Sequence, residues 1–425
     1  MWHGDADGVA RLVRTDYNNG AAYNFLTEPA GGERRTSVPF DFATIATQIE
    51  ELTRDVPRNG GAELTTLRET FAHVDVGDLV ARLTDKSTRH SFLPALPRWS
   101  ISGRYPAPVP PDDFSVLATD GSFMLPDRHS PARFYLINVG RVHLHYGARP
   151  DANLSTKAEL RYREEELRVN ERIPVNPVIL GMRRAVDELA ALAALAHEVE
   201  RPAVALQDGT LVLWGLSGQD TVVRDWVLID YLAAFDDLRE RGIPVASYIS
   251  YPGGDEVADS LRVACCDYPA RGLAINCDAC QIERATPACA VIPAIADRHL
   301  FEHVADLQPG ERSDVFRSMS KILSHYREHT IAFFYLNAGT EIARVEIPAW
   351  VADNPAQLDL VHAIIYDQCQ RGRGYPSVLQ EAHEQAVIGA DERRVVEQLV
   401  EEALARLGIV MLRSAKDASK RGRFV

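Results

Sequence analysis

What this 425-residue chain has little of narrows its class before any motif is read. Cysteine is scarce, and five of the six fall between Cys265 and Cys289, so a disulfide framework spread along a secreted chain is excluded. Long hydrophobic runs are missing as well: the longest apolar stretch, Leu189 to Ala196, is far too short to span a bilayer. The start, Met1-Trp2-His3-Gly4-Asp5, carries neither a cationic n-region nor an apolar h-region, and the expected location is the cytoplasm with no membrane partner. Positive charge is in deficit. Sixty acidic against 46 basic side chains give a formal charge of −14, which repels polyanions. Any contact with DNA therefore has to be local, through a basic strip, a partner protein, or divalent cations that bridge carboxylates to phosphate. No Gly-rich phosphate loop ending in Lys-Ser/Thr appears, which assigns ATP chemistry to a partner. Internal repeats and low-complexity tracts are also lacking.

What is there reads as a folded α/β chain, 46% hydrophobic and 25% charged, long enough for two to three domains or for one elaborated domain with appendages. Residues 1 to 110 alternate short helical patterns, Phe40 to Val56 and Glu69 to Leu83, with breakers, and end at the proline-rich stretch Tyr105 to Pro111. The main domain is expected over 111–410. It opens with strands at Phe114 to Thr119, Phe134 to Gly140 and Val142 to Tyr146, the first stopping at a turn, Asp120-Gly121-Ser122, and the other two meeting at Gly140. Three sequential strands suggest an antiparallel meander. A helix from Pro177 to Val199 leads into a short strand, Ala203 to Leu206, that runs into Gln207-Asp208-Gly209-Thr210. Helix, strand and helix follow at Val223 to Arg241, Val245 to Ser250 and Glu256 to Ala264. Residues 265–324 break the rhythm and read as an insertion carrying the cysteines. A hairpin of Ile331 to Leu336 and Glu341 to Ile347 restores it, followed by helices at Pro355 to Gln370, Ser377 to Ile388 and Arg393 to Leu407. A basic tail occupies 411–425.

Asp120 and Asp208 each lie where a hydrophobic strand stops, the position at which α/β proteins commonly place a site. Glu188 adds a third acid on the helix between them. A strand acid, a helix acid and a second strand acid interleaved with a meander is how ribonuclease H-like folds, mixed sheets flanked by helices, gather carboxylates around divalent cations. Hard Mg²⁺ or Mn²⁺ prefers oxygen ligands, and two such ions serve phosphodiester cleavage. An Asp-Gly pair after a strand is also an ordinary turn, and Glu188 beside Asp187 equally fits a solvated helix face.

Several blocks, in this order, make the chain resemble the NurA nucleases over residues 112–425. They are Ala118-Thr119-Asp120-Gly121-Ser122 with Ile137-Asn138-Val139-Gly140, then Leu206-Gln207-Asp208-Gly209-Thr210-Leu211, Phe334-Tyr335-Leu336, and Glu346-Ile347-Pro348-Ala349-Trp350-Val351. The last is Gly374-Tyr375-Pro376 leading into Glu381-Ala382-His383-Glu384-Gln385-Ala386-Val387. The resemblance implies a ribonuclease H-like core, Mn²⁺-dependent 5′ to 3′ exonuclease and single-strand endonuclease activity, and a homodimer. It also implies a place in DNA double-strand break end resection beside the hexameric translocase HerA. It matches Asp120 and Asp208 to the family's two aspartates, Glu188 to its helix glutamate, with Asp187, Glu198 and Glu200 on the same segment, and His383 to its late histidine. On this reading Asp120 bridges two Mn²⁺ or Mg²⁺ ions, Asp208 and Glu188 complete their shell, and His383 ligates the second metal or shuttles a proton. Tyr375 either stacks on a DNA base or simply packs. Two other readings stand beside this one: an actin- or sugar-kinase-like ATPase using the two Asp-Gly turns for phosphate, and a non-catalytic clamp or regulator of the translocase.

Cys266, Cys277, Cys280 and Cys289 supply enough thiolates for a structural zinc or an iron–sulfur cluster, but the spacing fits neither a paired zinc-finger pattern nor a ferredoxin run, and ordinary reduced thiols fit too. His143 and His145 share one face of a strand, where a polar cross-strand face explains them as well as a metal pair does. His129 reads as a surface loop residue.

Overall fold

The computed structural model describes residues 41–55, 61–125, 132–200 and 202–409. His129, the first forty residues and the basic tail lie outside the described residues. The chain divides into two units, 1–58 and 59–425. The first contributes the helix Phe42–Asp55, inside the predicted 40–56, with the Asp41 carboxylate accepting a hydrogen bond from Thr44 N at 3.1 Å.

The second unit is built on an 11-stranded mixed sheet. Its central path runs Asp151–Arg161, Tyr135–Tyr146, Phe114–Met124, Ala203–Asp208, Val245–Ile249, and then outward through Ile342–Pro348, Ile331–Asn337, Phe316–Ser318 and Ala95–Pro97. The first three strands are an antiparallel meander. Ala203–Asp208 joins its first strand in parallel and Val245–Ile249 joins Ala203–Asp208 in parallel, so the order by sequence is third, second, first, fourth, fifth, which is the ribonuclease H-like arrangement.

Alternation along the buried strands sorts their side chains onto two faces. Leu117, Ala205 and Val245 point to one, under the helices Pro177–Leu195 and Thr221–Glu240. Val116, Ala118, Val204, Leu206 and Ala246 point to the other, under Pro355–Arg371 and Ser377–Ala386. A third apolar cluster joins Leu67, Phe71, Leu79 and Leu83 to Val257, Leu261, Phe301, Phe316 and Phe333. Residues 61–105 thus share a core with the cysteine segment, and Arg104–Tyr105 pairs with Arg312–Ser313 as well. No helix among the described residues is long and apolar enough to cross a membrane.

Three local expectations change. The strand expected to stop at Asp120 continues to Met124, because Asp120 to Met124 stay paired with Gly140 to Leu136 after the parallel neighbour has ended at Thr119↔Gln207. The two strands expected to meet at Gly140 are one, Tyr135–Tyr146, and the third meander strand is Asp151–Arg161, a solvent-exposed edge whose polar residues carry no hydrophobic signal. The pattern from Glu69 to Leu83 is two helices, Gly61–His73 and Val76–Thr84, separated where Asp75 caps the second by accepting from Asp78 N at 3.0 Å. His143 Nε2 and His145 Nδ1 both meet Ser115 Oγ, at 3.0 and 3.1 Å, which satisfies them as a polar cross-strand group.

Candidate active site

Asp120 lies where the sheet opens. Its strand has lost the parallel neighbour, so the carboxyl reaches Gly121 N at 2.7 Å on one side and His383 Nδ1 at 2.9 Å on the other. Since a carboxylate only accepts, His383 donates through Nδ1 and Nε2 is turned outward, with the imidazole largely exposed.

The helix that carries His383, Ser377–Ala386, lies directly across the two central strands, and glycine permits this. A Cβ on Gly140, the partner of Asp120, would come within 2.7 Å of Ala386 N and 2.8 Å of Gln385 Cβ. Polar side chains of the same strands then hold the helix end: Asn138 Nδ2 donates to Ala386 O at 2.9 Å and to Gln385 O at 3.1 Å, and Ser122 Oγ donates to Ala386 O. Gly140→Ala is expected to cost about 1–3 kcal/mol as the helix is forced off the sheet, and to lower the cation-dependent cleavage that the sequence leads one to expect, by moving His383. Denaturant midpoints and cleavage rates on one preparation check both.

Glu188 approaches from the opposite side. Thr119 Oγ1 donates to Glu188 O at 3.0 Å, tying the helix to the strand, and Gly121 leaves room for the carboxyl, since a Cβ there would stand 2.5 Å from Glu188 Oε1 and 2.9 Å from Arg184 Cγ. Glu188 is buried. Gln207 Nε2 donates to Oε2 at 3.0 Å, but Oε1 accepts no hydrogen bond, although Arg184 Nε lies 3.3 Å away. Burial pushes the carboxyl up to about 8, with the charges of Asp120 and Asp208 adding to the rise and Arg184 and Gln207 opposing it. The neighbouring acids face elsewhere: Asp187 pairs with Arg161 and Arg183, and Glu198 with Arg141.

Asp208 ends its strand as expected. It opens to solvent, yet the surrounding protein strips enough water from its carboxyl, and Asp120 adds enough repulsion, to hold it above the ordinary carboxylate range. Tyr375 OH opposes that rise by donating to Asp208 Oδ1 at 2.9 Å, while its ring packs edge-to-face on Tyr248 at 5.4 Å. Tyr375→Phe is expected to weaken cation binding about fivefold, the worth of a net hydrogen bond of about 1 kcal/mol. It should also move the acidic limb of the pH–rate profile upward with little change in the plateau, which a pH series of cleavage rates reads directly.

Two groups here escaped the sequence reading. Arg184 Nη1 donates to Gly121 O at 2.7 Å and lies 4.0 Å from Asp120, so it stands between Asp120 and Glu188; its place four residues before Glu188 on one helix face was the available signal. Glu346, fully buried, accepts from Thr210 Oγ1 and Leu211 N, both at 2.8 Å, and pairs with Arg344 Nε at 3.0 Å, fixing the loop that follows Asp208. Glu346 opens one of the blocks that carry the family resemblance, but nothing in that block marks it as a buried acid fixing the loop after Asp208.

No three of Asp120, Glu188, Asp208 and His383 have ligand atoms all within 4.8 Å of one another. Among the described residues the sets that do are His299 with Glu302 and His303, and Asp236 with Glu328 and His329. The carboxylates nevertheless suit a hard divalent cation: their donors are oxygens, the charge of Asp120 raises the proton affinity of both Glu188 and Asp208, and Glu188 offers a buried acceptor without a hydrogen bond.

Fold and site together define an α/β protein of the ribonuclease H-like class with an acidic cluster at the end of its central strands. The family model for the NurA domain matches residues 114–388, from the first residue of the Asp120 strand to just beyond the His383 helix. The chain belongs to the NurA family, which is a nuclease-related family. No curated protein matches it.

Proposed function

We propose that the protein is a divalent-cation-dependent deoxyribonuclease, an exonuclease of 5′ to 3′ direction that also cuts single strands internally. What supports this reading is that Asp120, which hydrogen-bonds His383 more than 260 positions away, also bears electrostatically on Glu188 and Asp208 at the end of the central strands. Asp120, Glu188 and Asp208 would hold Mn²⁺ or Mg²⁺, with His383 beside the second ion. When bound, such ions supply activation of the attacking water and neutralisation of charge on the phosphate. The residues of the chain do the rest. Asp120 orients His383 through Nδ1 and leaves Nε2 turned to the reaction, where the doubly protonated ring would give its Nε2 proton to the leaving oxygen and return to the neutral Nδ1–H form. Tyr375 steadies Asp208 and presents a ring on which an unpaired base can stack.

With a net charge of −14 the chain gains little by capturing DNA from bulk solution, which favours delivery of the strand by a motor. The proposal therefore includes a homodimer working in the cytoplasm beside a HerA-type hexameric translocase during double-strand break end resection. End-labelled single-stranded DNA incubated with the purified protein tests it. Shortened products are expected with Mn²⁺ and none with a chelator. Intact DNA with every divalent cation tried, or hydrolysis of ATP by the isolated chain in place of DNA, would overturn it.

A further inference from the structure

We propose that Cys266, Cys277, Cys280 and Cys289 bind a [4Fe–4S] cluster that cross-links the irregular segment after the Glu256–Ala264 helix. All six cysteines are free of disulfides. The fold sorts four of them from the other two. Cys277 and Cys280 lie one turn apart on the helix Cys277–Glu283, whose start is pinned by Cys277 N donating to Arg89 O at 3.0 Å and Arg89 N donating to Ile275 O at 2.9 Å. Cys266 follows the Glu256–Ala264 helix, its carbonyl held by Arg82 Nη1 at 2.9 Å. Cys289 sits on the single turn Ala288–Val291, which packs against that same helix. Cys289 is within electrostatic reach of Cys266, Cys277 and Cys280, and Cys266 is within reach of Cys277 and Cys280. Cys265 instead turns to Thr70 Oγ1 at 3.9 Å, and Cys369 is buried in the core beneath Tyr248.

Spacing argues against a single zinc. A tetrahedral zinc with bonds of about 2.3 Å needs its sulfurs nearly in contact, whereas no three of these sulfurs lie within 4.8 Å of one another. In a [4Fe–4S] cluster each thiolate binds its own iron, and the ligands stand further apart around a common centre. The segment also needs a cross-link. Between Cys265 and Ala296 it has one seven-residue helix and two single turns; Tyr268, Ile275, Ile292 and Ile295 reach the third apolar cluster while Leu273, Ile282 and Val291 stay exposed, so scattered anchors and little regular structure hold it. Ligation supplies folding energy to such a segment, each thiol releasing its proton to solvent as its sulfur binds iron.

The test is iron and acid-labile sulfide analysis of the full chain purified without oxygen, with visible absorbance and electron paramagnetic resonance after reduction. About four irons and four sulfides per chain are expected, lost in Cys277→Ser and in Cys289→Ser and kept in Cys265→Ser and Cys369→Ser. The measurement on the unsubstituted chain stands even if a serine variant fails to fold. Absence of iron after anaerobic reconstitution, zinc at one per chain in its place, or loss of iron in Cys265→Ser as complete as in Cys277→Ser would each overturn the assignment. No DNA is involved, so this result is independent of the nuclease reading.

Discussion

On the proposed function, Asp120→Ala and Asp208→Ala are each expected to lower cleavage of labelled single-stranded DNA in Mn²⁺ by about a thousandfold or more, because loss of a cation ligand would forfeit the several kcal/mol that such ions supply to the transition state. Neither substitution should unfold the chain. Asp120 loses its contacts with Gly121 N and His383 and the long ion pair with Arg184, and Asp208 loses the Tyr375 hydroxyl and a Gly209 backbone contact at an exposed strand end. Circular dichroism is therefore expected to match the parent, and calorimetric titration with Mn²⁺ should show weakened binding in both variants. The two losses should also be far from additive when combined, since either one already dismantles the shared site. A variant that cuts as fast as the parent, with a contaminating nuclease excluded, would remove that aspartate from the site.

The central sheet was legible because its strands are buried on both faces and so read as short apolar runs, as at Phe114 to Thr119 and Ala203 to Leu206. Asp208 was legible for the same reason, as the first charge after such a run. The edge strand Asp151–Arg161 was not, since a solvated strand has no hydrophobic period to show. Asp120 was found for a reason that proved only half right: it marks the end of the parallel pairing and not the end of its strand. Gly121 and Gly140 read as turn residues, yet each is required by a helix arriving from far along the chain, and no local rule reports that approach. The third acid is similar. Glu188 and Asp187 are equivalent by sequence, and the helix settles which faces Asp120 only through its tie from Thr119 to Glu188 O. Arg344 and Glu346 lie in a fully buried strand where charge argues against the assignment, and their partners Glu256, Thr210 and Leu211 come from two other elements.

Glu188→Gln is expected to separate stability from function at this site. The parent carboxyl is pushed up to about 8 against an ordinary value of 4.5, so in that interval the folded chain holds a proton that the unfolded chain releases. The sign follows: the stabilisation is complete below pH 4.5 and is lost as pH rises toward 8, at up to about 1.4 kcal/mol per pH unit from this one group. The amide has no proton to lose and can still accept from Gln207 Nε2, so the variant escapes that slope. At low pH it should be slightly the less stable, because its NH₂ meets Arg184, which already lies 3.3 Å from Glu188 Oε1. With rising pH the curves should cross, leaving the variant the more stable near pH 8 in chelator. Mn²⁺ should reverse the order, since binding replaces the proton on Glu188 and stabilises only the parent. The variant should meanwhile lose DNA cleavage to a similar degree as the aspartate substitutions. Thermal melts from pH 5 to 8.5, with Mn²⁺ and with chelator, read all of this, and a parent-to-variant difference that stays constant across the series would show that Glu188 titrates as an ordinary carboxylate and holds no cation.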